Sequence, residues 1–195
     1  CQLRLDNLTK PLGSLHSFEH IARQMAGITG EYRPKMPEKS IIVMAGDHGV
    51  MAEGVSTYPK SVTAQMMNNA CLGGAGINVF SEHVGARLVL VNMGVDGDLS
   101  ACPNLYNEKI AYGTKNIIKE AAMTRQQGIE AINVGIRIAQ EENKKGYRIL
   151  GVGAMGIGST LPSVGVIACY SSQEIEELIG LGTGITPKLL NKRIN

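Results

Sequence analysis

Apolar positions along the chain follow two spacings, one of helices and one of strands. Leu15, Phe18, Ile21, Ala22 and Met25 recur at helical intervals behind Ser14, which predicts a capped helix over 14–27. The run SIIVMA at 40–45 is short, apolar and β-branched, and it ends at Gly46, as a buried strand does. A helix is predicted over 60–71, with Pro59 tolerated in its first turn. Another follows over 75–83, with Ile77, Val79, Phe80 and Val84 facing inward. RLVLVNM at 87–93 reads as the second strand, and a loop runs from it to about 115. A long helix over 124–144 places Ile129, Ile132, Ile136 and Ala139 on one face. A third strand at 147–152, a glycine loop at 153–159 and a helix or strand at 161–170 complete the pattern. Apolar strands alternating with helices predict an α/β fold whose parallel sheet is covered on both faces. In such sheets ligands lie beyond the carboxyl ends of the strands, which is where two of the glycine-rich loops fall.

Composition narrows the classes. The 195 residues suit one domain, and with 44% hydrophobic and 18% charged residues the chain can bury a core. Nineteen Lys and Arg against 17 Asp and Glu leave a net charge of +2, with six Tyr, two Phe and no Trp. That argues against a nucleic-acid partner, which calls for basic surface and stacking aromatics. Cys1, Cys71, Cys102 and Cys169 lie far apart without a CxxC pair, which argues against a zinc ribbon or a dense disulfide framework and fits a reducing cytoplasm. No apolar run reaches the roughly 20 residues of a membrane span, and no signal-peptide pattern opens the chain. The expectation is a soluble, cytoplasmic protein with no membrane partner.

Glycine is over-represented, with 24 residues gathered into clusters rather than spread as linker. GAMGIGST at 153–160 follows a strand, so its amides with Ser159 and Thr160 can cradle an anion; the other reading is a tight turn. No Lys precedes the Ser-Thr pair, so this is not a Walker loop. GLGTG at 180–184, with Thr183 as a donor, is a second nest or else a helix cap and turn. Asp47 and His48 follow a strand end and could hold a metal or move a proton, although bracing the loop is the better reading of a lone pair. His16-Ser17-Phe18-Glu19-His20 fits the HxxEH pattern of zinc proteases, but no third acidic ligand is signalled and no metal site is expected.

Six stretches carry a resemblance: LDNLTKPLGSL (5–15), AGDHGVMAEGVSTYP (45–59), VTAQMMNNACLGGAGINV (62–79), GTKNI (113–117), GAMGIGST (153–160) and GLGTG (180–184). In this order and over essentially the whole chain they resemble the nicotinate-nucleotide–dimethylbenzimidazole phosphoribosyltransferases of cobalamin lower-ligand synthesis. The resemblance implies a homodimer with a Rossmann-like α/β domain (36–195) and a small helical subdomain to which 1–35 contribute. It implies transfer of phosphoribose from nicotinate mononucleotide to a benzimidazole-type base, with inversion at the sugar, release of nicotinate, and neither metal nor cofactor. Ser56, Tyr58, Gln65 and Met66 fall where the family lines its slot for the aromatic base. Met155, Gly156, Ile157, Gly158, Ser159, Thr160, Gly182, Thr183 and Gly184 fall where it holds the nucleotide, with Asp47 and His48 bracing the loop. The chain departs from the family at Ala154, where a glutamate is usual, and at Ser159-Thr160-Leu161, where Asn-Thr-Thr is usual. The family's proton-accepting glutamate lies in a C-terminal part beyond Asn195. Nucleotide binding is therefore expected to outlast turnover. The alternative is a non-catalytic paralogue that binds a nucleotide or aromatic base as a regulatory or partner subunit.

Overall fold

Four parallel strands carry the larger of two compact units: β1 (Glu38–Gly46), β2 (Ala86–Gly94), β3 (Tyr106–Asn107) and β4 (Tyr147–Met155), in the order β3-β2-β1-β4. The structure, a computed structural model, describes residues 1–180 and 191. The units are Cys1–Pro37 and Glu38–Asn195.

In the first unit, α1 (Gln2–Asp6) is followed by α2 (Ser17–Thr29), which starts three residues later than the apolar spacing predicts. The chain breaks at His16, whose φ is +46°, and the Ser14 amide donates to Pro11 O in a turn, so Ser14 caps nothing. The Glu19 carboxylate accepts from Lys10 Nζ at 2.7 Å and from the Leu15 amide at 3.2 Å. Those two donors occupy the acid of the HxxEH pattern. Among the described residues no group of acids, histidines and cysteines is arranged to hold a metal ion.

In the second unit the period-two alternation of β1 divides the core. Val43 and Ala45 face α3 (Val62–Cys71) and α4 (Gly76–His83), joining Met67, Ala70, Leu90 and Val95. Ser40, Ile42 and Met44 face α5 (Arg125–Lys144), where Val89, Val91 and Ile138 close the second core. Thr124 caps α5 by accepting the Gln127 amide, while Gln127 Oε1 takes the Thr124 amide in return. β4 extends to Met155, so Gly153 and Ala154, predicted as loop, continue the ladder opposite Val43 and Met44. The segment that could be helix or strand is α6 (Thr160–Tyr170), and α7 (Ile175–Leu178) follows. Among the described residues no helix is long and apolar enough to cross a membrane.

Two helix faces differ from the sequence expectation. On α4, Val79, Phe80 (70% exposed) and Val84 point outward, while Ser81 is buried. Asn78 fixes that rotation: it accepts the Ala75 amide and donates to Ala70 O, tying the start of α4 to the end of α3. On α5, Ile129, Ile132 (65% exposed) and Ile136 face away, and Ile138 and Glu142 are fully buried. Glu142 sets this rotation, because its carboxylate accepts from Ser40 Oγ at 3.0 Å and Lys145 Nζ at 2.7 Å and pairs with Arg87 Nε at 3.3 Å. A buried carboxylate is retained where such partners meet it, so the acid outranks three isoleucines.

The cysteines form no dense framework, but two of the four pair, which a reducing environment does not favour. Cys71 at the end of α3 and Cys102 form a disulfide with Cα atoms 5.3 Å apart, because the loop after β2 folds back over α3. Spacing in sequence hides this, since the pair is 31 positions apart. Closing a loop of that length stabilises by about 3–4 kcal/mol in the chain-entropy account. The Cys71→Ala/Cys102→Ala protein should unfold at lower urea than the oxidised parent, with the two converging in reductant. A gap that survives full reduction would assign the loss to packing instead.

Candidate nucleotide site

The carboxyl ends of β1, β2 and β4 open into a crevice of about 620 Å³, a size that suits a small-molecule ligand. The chain leaves β1 toward β2 on one side while β4 lies on the other, so this is a topological switch point of the sheet. Polar groups on the crevice wall come from Asp47, His48, Thr114, Lys115, Gln127, Ser159 and Ser163, and Ala154 and Met155 end β4 against it.

Asp47 is the best-held of these. Its Oδ2 accepts the Asp96 amide at 2.7 Å, its own amide donates to Gly94 O at 3.0 Å, and its carbonyl accepts the Thr114 amide at 2.9 Å. The segments after β2 and β3 thus converge on one residue that is 2% exposed. Next to it, Gly49 donates to Thr114 Oγ1 at 3.2 Å and lies flat on the backbone of 114–116.

His48 separates this crevice from a second cavity of about 590 Å³, also lined by Gly49, Ser56, Tyr58 and Lys60. Burial holds the His48 imidazole below its usual range, against the pull of the neighbouring Asp47 charge. The unfolded chain therefore takes up this proton at higher pH than the folded one. Stability from His48 is complete above the unfolded value of 6.5 and is lost as pH falls from there toward the folded value. The His48→Gln protein should show a flatter fall in denaturation midpoint between about pH 7.5 and about pH 5. Parallel curves for the two proteins would show that His48 carries none of the slope.

The glycine loop is more committed to the protein than its sequence suggests. The Ile157 amide donates to Thr63 Oγ1 at 3.0 Å, Ser159 N to Gly156 O at 3.1 Å, and Leu161 N to Gly158 O at 3.3 Å. Gly156 backs directly onto the Gly46 carbonyl oxygen, and a Cβ there would also stand 2.9 Å from His48 Nε2. The glycine serves close approach to the first loop as much as to any ligand. Among the described residues the Gly158 and Thr160 amides make no hydrogen bond, and Pro162 has none to offer.

The residues singled out by sequence are thus partly gathered. Asp47, His48, Ala154, Met155 and Ser159 line the crevice, whereas Gly156, Ile157, Gly158 and Thr160 do not. Ser56 and Tyr58 share the second cavity, where Ser56 Oγ accepts the Tyr58 amide at 3.2 Å. Gln65 and Met66 are exposed on α3 and line neither cavity, because Thr63, Met67 and Ala70 take the inward face. Gly182, Thr183 and Gly184 lie outside the described residues. Thr114, Lys115, Gln127 and Ser163 had been given no role; the stretch GTKNI was the signal for the first two.

A family model described as phosphoribosyltransferase matches residues 1–195. The chain belongs to this family. The nicotinate-nucleotide–dimethylbenzimidazole phosphoribosyltransferase of Geobacter sp. (strain M21) is 47% identical over 193 residues, which is 99% of this chain and 55% of the relative. The enzyme of the same name from Ruminiclostridium cellulolyticum is 48% identical over 98% of this chain and 54% of its own length. The crystal structure of CobT from Thermus thermophilus matches with a TM-score of 0.94 at 35% identity, over 98% of this chain and 58% of that one. This chain therefore spans about half the length of the phosphoribosyltransferases it matches. Over that half, the backbone frame around the crevice is shared with the Thermus protein.

Proposed function

We propose that this chain binds nicotinate mononucleotide and takes part in moving its phosphoribosyl group to a benzimidazole-type base, giving an α-ribazole phosphate and nicotinate. The observation that carries this reading is the crevice at the switch point, walled by the end of β4 and the start of α6, in a chain of the phosphoribosyltransferase family. The incoming ring nitrogen bonds to the sugar's C1′ as the bond to nicotinate breaks, and the base gives up its proton. Positive charge builds on the sugar in between, so the site has to position both rings and supply favourable electrostatics. The Gly158 and Thr160 amides at the head of α6, with the Ser159 hydroxyl, are the donors for the 5′-phosphate, joined by Gly182, Thr183 and Gly184. The cavity holding Ser56 and Tyr58 takes the aromatic base, and Asp47 braces the wall between. The assembly we propose is a two-fold homodimer, the commonest one, which sedimentation would report directly. Incubating the protein with nicotinate mononucleotide and a panel of benzimidazoles, phenols and purines tests the reading. Free nicotinate that depends on an added base supports it; no binding of the mononucleotide removes it.

A further inference from the structure

Thr63 stands apart from the other site residues. It is fully buried on the inward face of α3, and its hydroxyl oxygen receives the Ile157 amide from a loop 94 positions away. Most of α3's remaining contacts with the sheet are apolar, through Met67 and Ala70. Thr63 is the second residue of α3, so no preceding helical turn claims its hydroxyl. Its oxygen meets the Ile157 amide of the 156–159 turn at 3.0 Å.

Resting on the phosphate reading above, we infer that Thr63 is a positioning residue for the phosphate loop. With the Ile157 amide fixed on Thr63 and the Ser159 and Leu161 amides on the turn's own carbonyls, Gly158 and Thr160 are among the amides left for an anion. The hydroxyl thus selects which donors face the ligand without touching it. Without that acceptor the half-buried Ile157 amide has no protein partner, and the turn is driven toward arrangements that satisfy it. Only the fraction of molecules still holding the present arrangement binds phosphate well, and the apparent affinity falls by that fraction.

The test compares Thr63→Val, which keeps the shape and removes the acceptor, with Thr63→Ser, which keeps the acceptor. Each is titrated with nicotinate mononucleotide and, by competition, with nicotinate riboside, which lacks the phosphate. Thr63→Val should weaken the mononucleotide about tenfold and the riboside less than about twofold, and Thr63→Ser should hold the mononucleotide within about twofold of the parent. Backbone amide exchange at Ile157, referenced to β1 amides, should quicken in Thr63→Val and not in Thr63→Ser. This separates a released loop from a protein that is merely less stable. Equal losses for both ligands, failure of serine to restore affinity, or unchanged exchange at Ile157 would each overturn the assignment. A parent that holds the mononucleotide no tighter than the riboside would instead defeat the phosphate reading, and the role of Thr63 with it.

Discussion

Gly49→Ala should destabilise the protein by about 3 kcal/mol or more, beyond the usual range for one added methyl group. A Cβ at Gly49 would stand 2.5 Å from the Lys115 carbonyl carbon and 2.6 Å from both Asn116 N and Thr114 O. All three are backbone atoms, so no side chain can rotate out of the way. Relief requires the two loops to part, which also stretches the bond from the Gly49 amide to Thr114 Oγ1. Since Gly49 lies in the second cavity and residues 114 and 115 in the crevice, affinity for both ligands should fall with stability. Gly165→Ala is the control: it lies within α6 with nothing inside 4 Å, and it should be neutral or stabilising by up to about 1 kcal/mol. Chemical denaturation of the three proteins decides the matter. A Gly49→Ala midpoint equal to the parent's would mean that the loops are not locked together as described.

Ala154→Glu should change turnover far more than nucleotide affinity. Residue 154 sits on β4 opposite Met44, on the crevice wall, where in the proposed transfer a methyl group offers nothing to a developing positive charge on the sugar. A carboxylate there acts chiefly in the transition state, so nicotinate release should rise by about 10²-fold while mononucleotide affinity moves by less than about threefold. Release is to be measured for parent and variant, each alone and mixed with a full-length relative. Where the proton acceptor has to come from elsewhere, the variant alone recovers only part of the rate and the mixture recovers more. A parent that turns over unaided at about 1–10³ per second would refute this account of Ala154.

The sheet was legible in the sequence because SIIVMA and RLVLVNM are buried on both faces, which leaves few readings other than parallel strands. The two helix rotations were not. A count of apolar residues assigns Ile132 and Phe80 to the core, yet Glu142 and Asn78 set the faces through bonds to residues 102 and eight positions away. Hydrophobic spacing cannot register such long-range polar partners. The glycines of the 153–160 loop announced close approach, but the sequence could not say that Gly46 and His48 are what approaches Gly156. The disulfide was hidden for the same reason, since only the fold brings Cys102 to Cys71.

Glu142 also turns α5 into a lever. The helix is fastened at its foot, beside Ser40 and Arg87, while its opposite end carries Gln127 and Ala131 on the crevice wall. Fifteen residues at about 1.5 Å each separate anchor from wall, roughly 22 Å of rigid rod. A tilt of about 5° about the anchor therefore moves the Gln127 end by about 2 Å, enough to change what the crevice admits. A buried acid about four turns from the crevice thus helps fix where the far end of the rod stands, and loosening it would be felt most at that end.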